Sequence, residues 1–254
     1  MSALITSAQL KDKIANNSGN LILLDATYGQ PVNYTIEGAQ HFDIDVVADQ
    51  TNPLPHMIPS AGIFEHHIQQ MGIKNNSEII VFDKGGFWMA AARVWWMFRL
   101  FGHDNVKVLN GGLQTWDGEL TPYSPTQCKT GDFKSNFQSH LYKSYDDIKS
   151  HNDNEFTLID VRPAQAYDAG HMDYAISIPL SMLIDPNCCL ESVFNLKNIL
   201  KPAIEKSLPL ATTCGSGVTA CATALALHEC GHMGVAVYDG SWTEWKSLSQ
   251  NIEL

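Results

Sequence analysis

The chain reads twice. L-I-L-L-D-A-T (Leu21–Thr27) echoes T-L-I-D-V-R (Thr157–Arg162) and pairs Asp25 with Asp160. E-I-I-V-F-D (Glu78–Asp83) echoes P-L-A-T-T-C (Pro209–Cys214) and pairs Asp83 with Cys214. V-K-V-L-N-G-G-L-Q-T-W (Val106–Trp116) echoes V-A-V-Y-D-G-S-W-T-E-W (Val235–Trp245). Each segment is a short apolar run between helix-like stretches, the pattern of a parallel sheet covered on both faces. The helical stretches include Ser60–Met71, with Ser60 as N-cap, and Met89–Phe101, ended by Gly102. Between the halves, Gly118 to Lys143 holds Pro122 and Pro125 and lacks periodicity, so it reads as a linker. The expectation is α/β: two tandem domains at 1–118 and 143–254, joined by 119–142. Ligands belong at the C-terminal ends of the strands.

At that edge the second half carries C-G-S-G-V-T-A (Cys214–Ala220). A buried strand leads into it, and a helix over Val218–Glu229 follows, with Gly231 just past its end. A thiol on a Gly-rich turn at a helix start meets converging N–H groups and the positive end of the helix dipole. Both favour the thiolate, the form of cysteine that acts as nucleophile. Gly215 and Gly217 suit a tight loop, and the amides of Gly215, Ser216, Gly217, Val218, Thr219 and Ala220 suit an anion. The plain alternative is a buried structural cysteine.

Two other thiol chemistries fit poorly. A phosphatase loop needs an Arg at its end to grip phosphate, and the position six after Cys214 is Ala220. Zinc needs further ligands at close spacing; Cys221 lies on the helix, and Cys188 and Cys189 are adjacent to one another. No metal site is expected. The first half has Asp83 where the second has Cys214, so it is expected to be catalytically silent.

The net charge is −11, and the only Arg residues are Arg93, Arg99 and Arg162. No basic stripe exists, which argues against nucleic acid. Six cysteines in 254 residues do not make a disulfide scaffold, so reduced, cytoplasmic thiols are expected. Met1–Asn17 lacks the apolar core of a signal peptide, and no run is long enough to span a bilayer, so no membrane partner is expected.

Together, F-D-I-D (Phe42–Asp45), N-P-L-P-H-M-I-P (Asn52–Pro59), R-V-W-W-M-F-R-L-F-G-H (Arg93–His103), V-L-N-G-G (Val108–Gly112), the Cys214 run and Y-D-G-S-W-T-E-W (Tyr238–Trp245) are highly specific. Through them the chain resembles the tandem-domain rhodanese sulfurtransferases over nearly its whole length. The resemblance implies two rhodanese-like domains with the active cysteine only in the second. The neutral loop with Ser216 is similar to that of the 3-mercaptopyruvate branch; the thiosulfate branch usually carries basic residues there. A neutral loop in an acidic protein is also a weak trap for a dianion.

The resemblance further implies a relay of Ser216, His56 and Asp45, drawing two members from the first half. Read without it, His56 is a loop residue between Pro55 and Pro59, and Asp45 a capping carboxylate. Arg162, at a strand end on the Cys214 edge, suits a substrate carboxylate or, more plainly, an ion pair. The pattern departs from the branch in lacking a second Arg after Arg162 and in carrying Met89 where an aromatic is common; Gln165, Tyr167 or Trp88 are available to compensate.

The resulting expectation is a sulfurtransferase that moves sulfur from a small-molecule donor, 3-mercaptopyruvate, to a thiol such as thioredoxin or to cyanide. It proceeds through a Cys214 persulfide, with no cofactor. A thiosulfate:cyanide sulfurtransferase is the nearest alternative. A non-catalytic sulfur-carrier or partner-binding module is the other, although binding alone does not call for an activated thiol.

Overall fold

A computed structural model describes residues 2–16, 19–85, 89–125, 128–152 and 154–249. The chain divides into two units. The first comprises Met1–Gln50, Ile58–Gln138 and Asn187–Cys189; the second comprises Thr51–Met57, Ser139–Pro186 and Leu190–Leu254.

The first unit is built on a five-stranded sheet in the order Leu4–Ile5, Val106–Leu109, Glu78–Phe82, Leu21–Asp25, Gln40–His41. Every pairing is parallel. Ile79 to Phe82 are all fully buried, as expected for a central strand covered on both faces. The helix Ala61–Gln70 starts at Ser60, whose hydroxyl accepts the Ile63 N–H at 3.4 Å. The helix Met89–Leu100 carries Trp95, Trp96 and Phe98 into the core.

The second unit repeats the plan. Its sheet runs Tyr142–Lys143, Ala236–Tyr238, Leu210–Thr213, Thr157–Asp160, Ile176–Ser177, again all parallel. The strand order matches the first sheet position for position. The register matches too: Asp25 lies opposite Phe82, and Asp160 opposite Thr213. So do the hydrogen bonds beyond the strands. Ala26 N–H donates to the Phe82 carbonyl at 2.7 Å, and Val161 N–H to that of Thr213 at 3.0 Å. Phe42 N–H donates to the Asp25 carbonyl, and Ile178 N–H to that of Asp160. The sequence echo is therefore an echo of backbone geometry.

The stretch 119–138 packs on the first unit. Thr121–Pro122 pairs antiparallel with Tyr34–Thr35. Phe133 is 1% exposed and meets Phe64 and Phe98 edge-on, beside the stacked pair Phe64–Phe101. Burying one such ring is worth about 1.5–3 kcal/mol, which adds to the strand pairing in holding the stretch. No helix among the described residues is long and apolar enough to cross a membrane.

Candidate active site

The strand Leu210–Thr213 delivers Cys214 to the C-terminal edge of the second sheet, and the helix Val218–Glu229 departs from it. Three bend residues, Gly215, Ser216 and Gly217, make the turn. Gly217 has φ 78°, and a Cβ there would strike the carbonyl oxygen of Asp239, so only glycine fits. Gly215 is the opposite case: a Cβ there meets nothing within 4 Å. Ser216, Val218 and Thr219 are half-buried, and Ala220 is buried. The helix behind is buried all round from Ala220 to Leu227, with Thr223 the one polar residue among them, which seats it in the core. Cys221 is among those buried residues, its thiol directed to the Gly217 carbonyl at 3.2 Å.

Cys214 is 2% exposed. Its backbone is tied to the segment after the last strand. Cys214 N–H donates to Ser241 Oγ at 3.1 Å, and Trp242 N–H donates to the Cys214 carbonyl at 3.0 Å. Thr243 gives the Gly215 carbonyl both its N–H, at 3.0 Å, and its hydroxyl, at 2.7 Å. These residues fall in the Tyr238–Trp245 run, but their roles were not readable from it, since they act through the turn they hold. Glu244, in the same run, is a half-buried carboxyl held above its usual range by burial, with Asp239 and Asp146 adding to the push and Tyr238 opposing it.

Arg162 is 7% exposed, and its fork is closed on Asp160. Nε lies 3.0 Å from both carboxylate oxygens, and Nη2 lies 2.6 Å from Oδ2 and 2.8 Å from the Gly170 carbonyl. The guanidinium also covers the Trp242 ring at 4.3 Å. The open bidentate grip expected of this residue is thus already spent within the protein. Its Nη1 group makes no hydrogen bond among the described residues. Gln165 and Tyr167 lie on the short helix Ala164–Asp168; the Tyr167 hydroxyl donates to the Ala175 carbonyl at 2.6 Å, and its ring stacks on His171.

His56 is half-buried in the segment Thr51–Met57 of the second unit, with φ 61°. Asp45 is exposed in the first unit. Its N–H donates to Asp43 Oδ1 at 2.8 Å, and its carboxylate takes the Tyr28 hydroxyl. Burial, then that carboxylate, raises the Tyr28 phenol above its ordinary value. Met89 opens its helix and is exposed; Trp88 lies outside the described residues.

In the first unit the equivalent position, just past the strand Glu78–Phe82, is Asp83, 3% exposed. Its Oδ2 accepts the Ala91 N–H at 3.0 Å, in the first turn of the helix Met89–Leu100. Leu113 N–H donates to the Asp83 carbonyl at 2.9 Å, as Trp242 does to Cys214. Burial pushes the Asp83 carboxyl up to about 7, against the helix N–H groups that favour its charged form. Because this folded value exceeds the unfolded one, the stabilising contribution is full below about pH 4 and is lost as pH rises to about 7. The slope is up to about 1.4 kcal/mol per pH unit. Asp83→Asn is therefore expected to flatten the fall in stability between about pH 4 and pH 7, seen as urea midpoints that converge at low pH and separate at high pH.

Fold and site define an α/β protein of two like units, one of which sets a buried cysteine on a strand–turn–helix cradle. The family model described as Rhodanese-like domain matches residues 6–119 and 144–248. The chain belongs to the rhodanese family. It is 34% identical over 226 residues to chicken thiosulfate sulfurtransferase, covering 83% of this chain and 78% of the relative. It is equally 34% identical over 226 residues to human 3-mercaptopyruvate sulfurtransferase, covering 83% and 76%. Among solved structures it superposes on SseA from Escherichia coli, a 3-mercaptopyruvate sulfotransferase of rhodanese fold, with TM-score 0.85 at 29% identity. That superposition covers 95% of this chain and 99% of that one. In sequence and fold the chain is sulfurtransferase-like over most of its length.

Proposed function

We propose that this protein transfers sulfur from 3-mercaptopyruvate through a persulfide on Cys214. The observation that carries the reading is the neutral Gly-rich turn that sets the Cys214 sulfur at the start of the helix Val218–Glu229. The thiolate attacks the donor sulfur. A sulfur–sulfur bond forms, the carbon–sulfur bond breaks, and its electron pair leaves as pyruvate enolate, which takes a proton. The loop from Gly215 to Ala220 offers amides to the anionic persulfide. Arg162, through Nη1, receives the donor carboxylate while Asp160 and Trp242 hold its plane. Ser216 and His56, with Asp45 as the third member named by the resemblance, handle the proton. The persulfide passes to a thiol such as thioredoxin, or to cyanide. No metal or organic cofactor enters this scheme.

The first unit, with Asp83 in place of a thiol, is silent in it. No disulfide joins any of the six cysteines, which suits a reducing compartment such as the cytoplasm. The second reading, a thiosulfate:cyanide sulfurtransferase, is favoured by the name of the chicken relative. The loop charge favours the first, because a dianion gains nothing from a neutral loop in a chain of net charge −11.

The test is steady-state kinetics with both donors on one preparation. The expected result is a higher kcat/KM for 3-mercaptopyruvate; a higher value for thiosulfate overturns the donor assignment. Adding charge is expected to move the preference. Gly215→Arg with Ser216→Lys should raise thiosulfate turnover relative to 3-mercaptopyruvate, and the open space at the Gly215 Cβ position admits the larger side chain.

A further inference from the structure

We infer that Ser241 is a positioning residue for Cys214, held in a strained backbone conformation because its hydroxyl fixes the cysteine's peptide group. The inference rests on the reading of Cys214 as the nucleophile. Ser241 has φ 52°, in the left-handed region that residues with a Cβ rarely enter. It is fully buried. Its hydroxyl donates to the Tyr238 carbonyl at 2.8 Å and accepts from the Cys214 N–H at 3.1 Å and the Thr213 hydroxyl at 3.3 Å. One proton and two lone pairs are all a hydroxyl has, so its capacity is filled.

The chain carries its own control. The position equivalent to Ser241 in the first half is Gly112, with φ 57° and the same following bond, Leu113 N–H to the Asp83 carbonyl. The turn can therefore be made by glycine at no steric cost. A Cβ at Gly112 would even strike the Asp83 carbonyl oxygen, so the first half makes the turn with no side chain there. Only the half that bears the thiol places a side chain at this position, and that side chain reaches back to the thiol's own N–H. With the Trp242 and Thr243 bonds, it fixes both peptide groups flanking the Cys214 Cα, while Sγ makes no hydrogen bond among the described residues. Strain kept at such a point is the mark of a function that requires it.

Two substitutions separate positioning from mere shape. Ser241→Gly and Ser241→Ala both remove the hydroxyl, but glycine relieves the left-handed strain and alanine retains it. Ser241→Gly is expected to melt higher than Ser241→Ala. If the hydroxyl positions Cys214, both lower kcat with 3-mercaptopyruvate by about tenfold, the scale of one buried hydrogen bond. KM should stay within about threefold, since the loss falls on the reacting group and not on substrate binding. Alkylation of Cys214 by iodoacetamide at fixed pH should slow by a similar factor in both. Ser241→Gly with wild-type kcat and wild-type alkylation rate overturns the inference. A wild-type enzyme inert to both 3-mercaptopyruvate and thiosulfate would instead sink the sulfurtransferase reading, and the alkylation rates would still decide the part played by Ser241.

Discussion

Cys214→Ser is expected to abolish sulfur transfer from every donor while leaving the fold intact. The serine hydroxyl fits the same space and keeps the backbone bonds to Ser241 and Trp242. What it lacks is chemistry: a hydroxyl is scarcely ionised at neutral pH, and oxygen is a poor nucleophile toward sulfur. The remaining cysteines sit elsewhere. Cys221 and Cys230 are buried, and burial raises the Cys230 thiol. Cys128 is exposed, and Cys188 and Cys189 are half-buried. Substituting these should leave turnover largely unchanged. Pyruvate release from 3-mercaptopyruvate and thiocyanate release from thiosulfate with cyanide measure the loss. Intact-mass analysis after donor treatment, without acceptor, should find one added sulfur atom on the wild type and none on Cys214→Ser. Sulfur found on another cysteine, or turnover surviving in the serine variant, would place the nucleophile elsewhere.

The repeat was legible because strands buried on both faces must be apolar runs, and two copies of one sheet leave two copies of those runs. That Asp83 is the first half's equivalent of Cys214 followed from the alignment of Glu78–Asp83 with Pro209–Cys214, and the matching bonds from Leu113 and Trp242 put each at the same point of its own unit. The helix after Cys214 was legible to its ends, since a Gly-rich turn and Gly231 bracket it. What the sequence hid is long-range. Phe133 and backbone bonds such as Gly131 N–H to the Gln69 carbonyl anchor a stretch that has no periodicity, because single contacts of this kind leave no pattern. The left-handed backbone of Ser241 looks like any serine in a loop. Asp160 and Arg162 two residues apart read equally as a substrate grip or as an ion pair. Only the fold closes the fork on the carboxylate, with the ring of Trp242, 80 residues further along, beneath it.

That closed fork changes how Arg162 is to be tested. Removing it strands the Asp160 carboxylate, which is 1% exposed, and breaking a buried pair costs about 3–5 kcal/mol. Loss of activity in Arg162→Ala would therefore mix substrate binding with damage to the Asp160–Trp242 support. His56, proposed above for the relay, probes proton handling while leaving in place the bonds from Ser241, Trp242 and Thr243 that hold the Cys214 backbone.

His56→Ala is expected to lower kcat for 3-mercaptopyruvate by about 10²–10⁴-fold, the range for a general acid–base group. An enolate leaving the donor would need a proton, and the loop itself offers only the weak hydroxyls of Ser216 and Thr219. A serine can pass a proton only if a neighbour exchanges it, and histidine is the side chain whose ordinary titration lies nearest working pH. His56 packs with the second unit, the unit that carries Cys214, although its sequence position is in the first half. Its φ of 61° is one that histidine and asparagine enter more readily than most side chains. His56→Asn therefore serves as the backbone-tolerant companion: it keeps the turn and removes the titrating ring. If the ring handles the proton, alanine and asparagine should fall together, and Asp45→Asn should fall by less, as the member that orients without exchanging protons. Alkylation of Cys214 should proceed near the wild-type rate in the His56 variants, since the bonds from Ser241, Trp242 and Thr243 to the Cys214 turn remain. A His56→Asn enzyme with wild-type kcat would remove histidine from the relay and leave the enolate to take its proton from solvent.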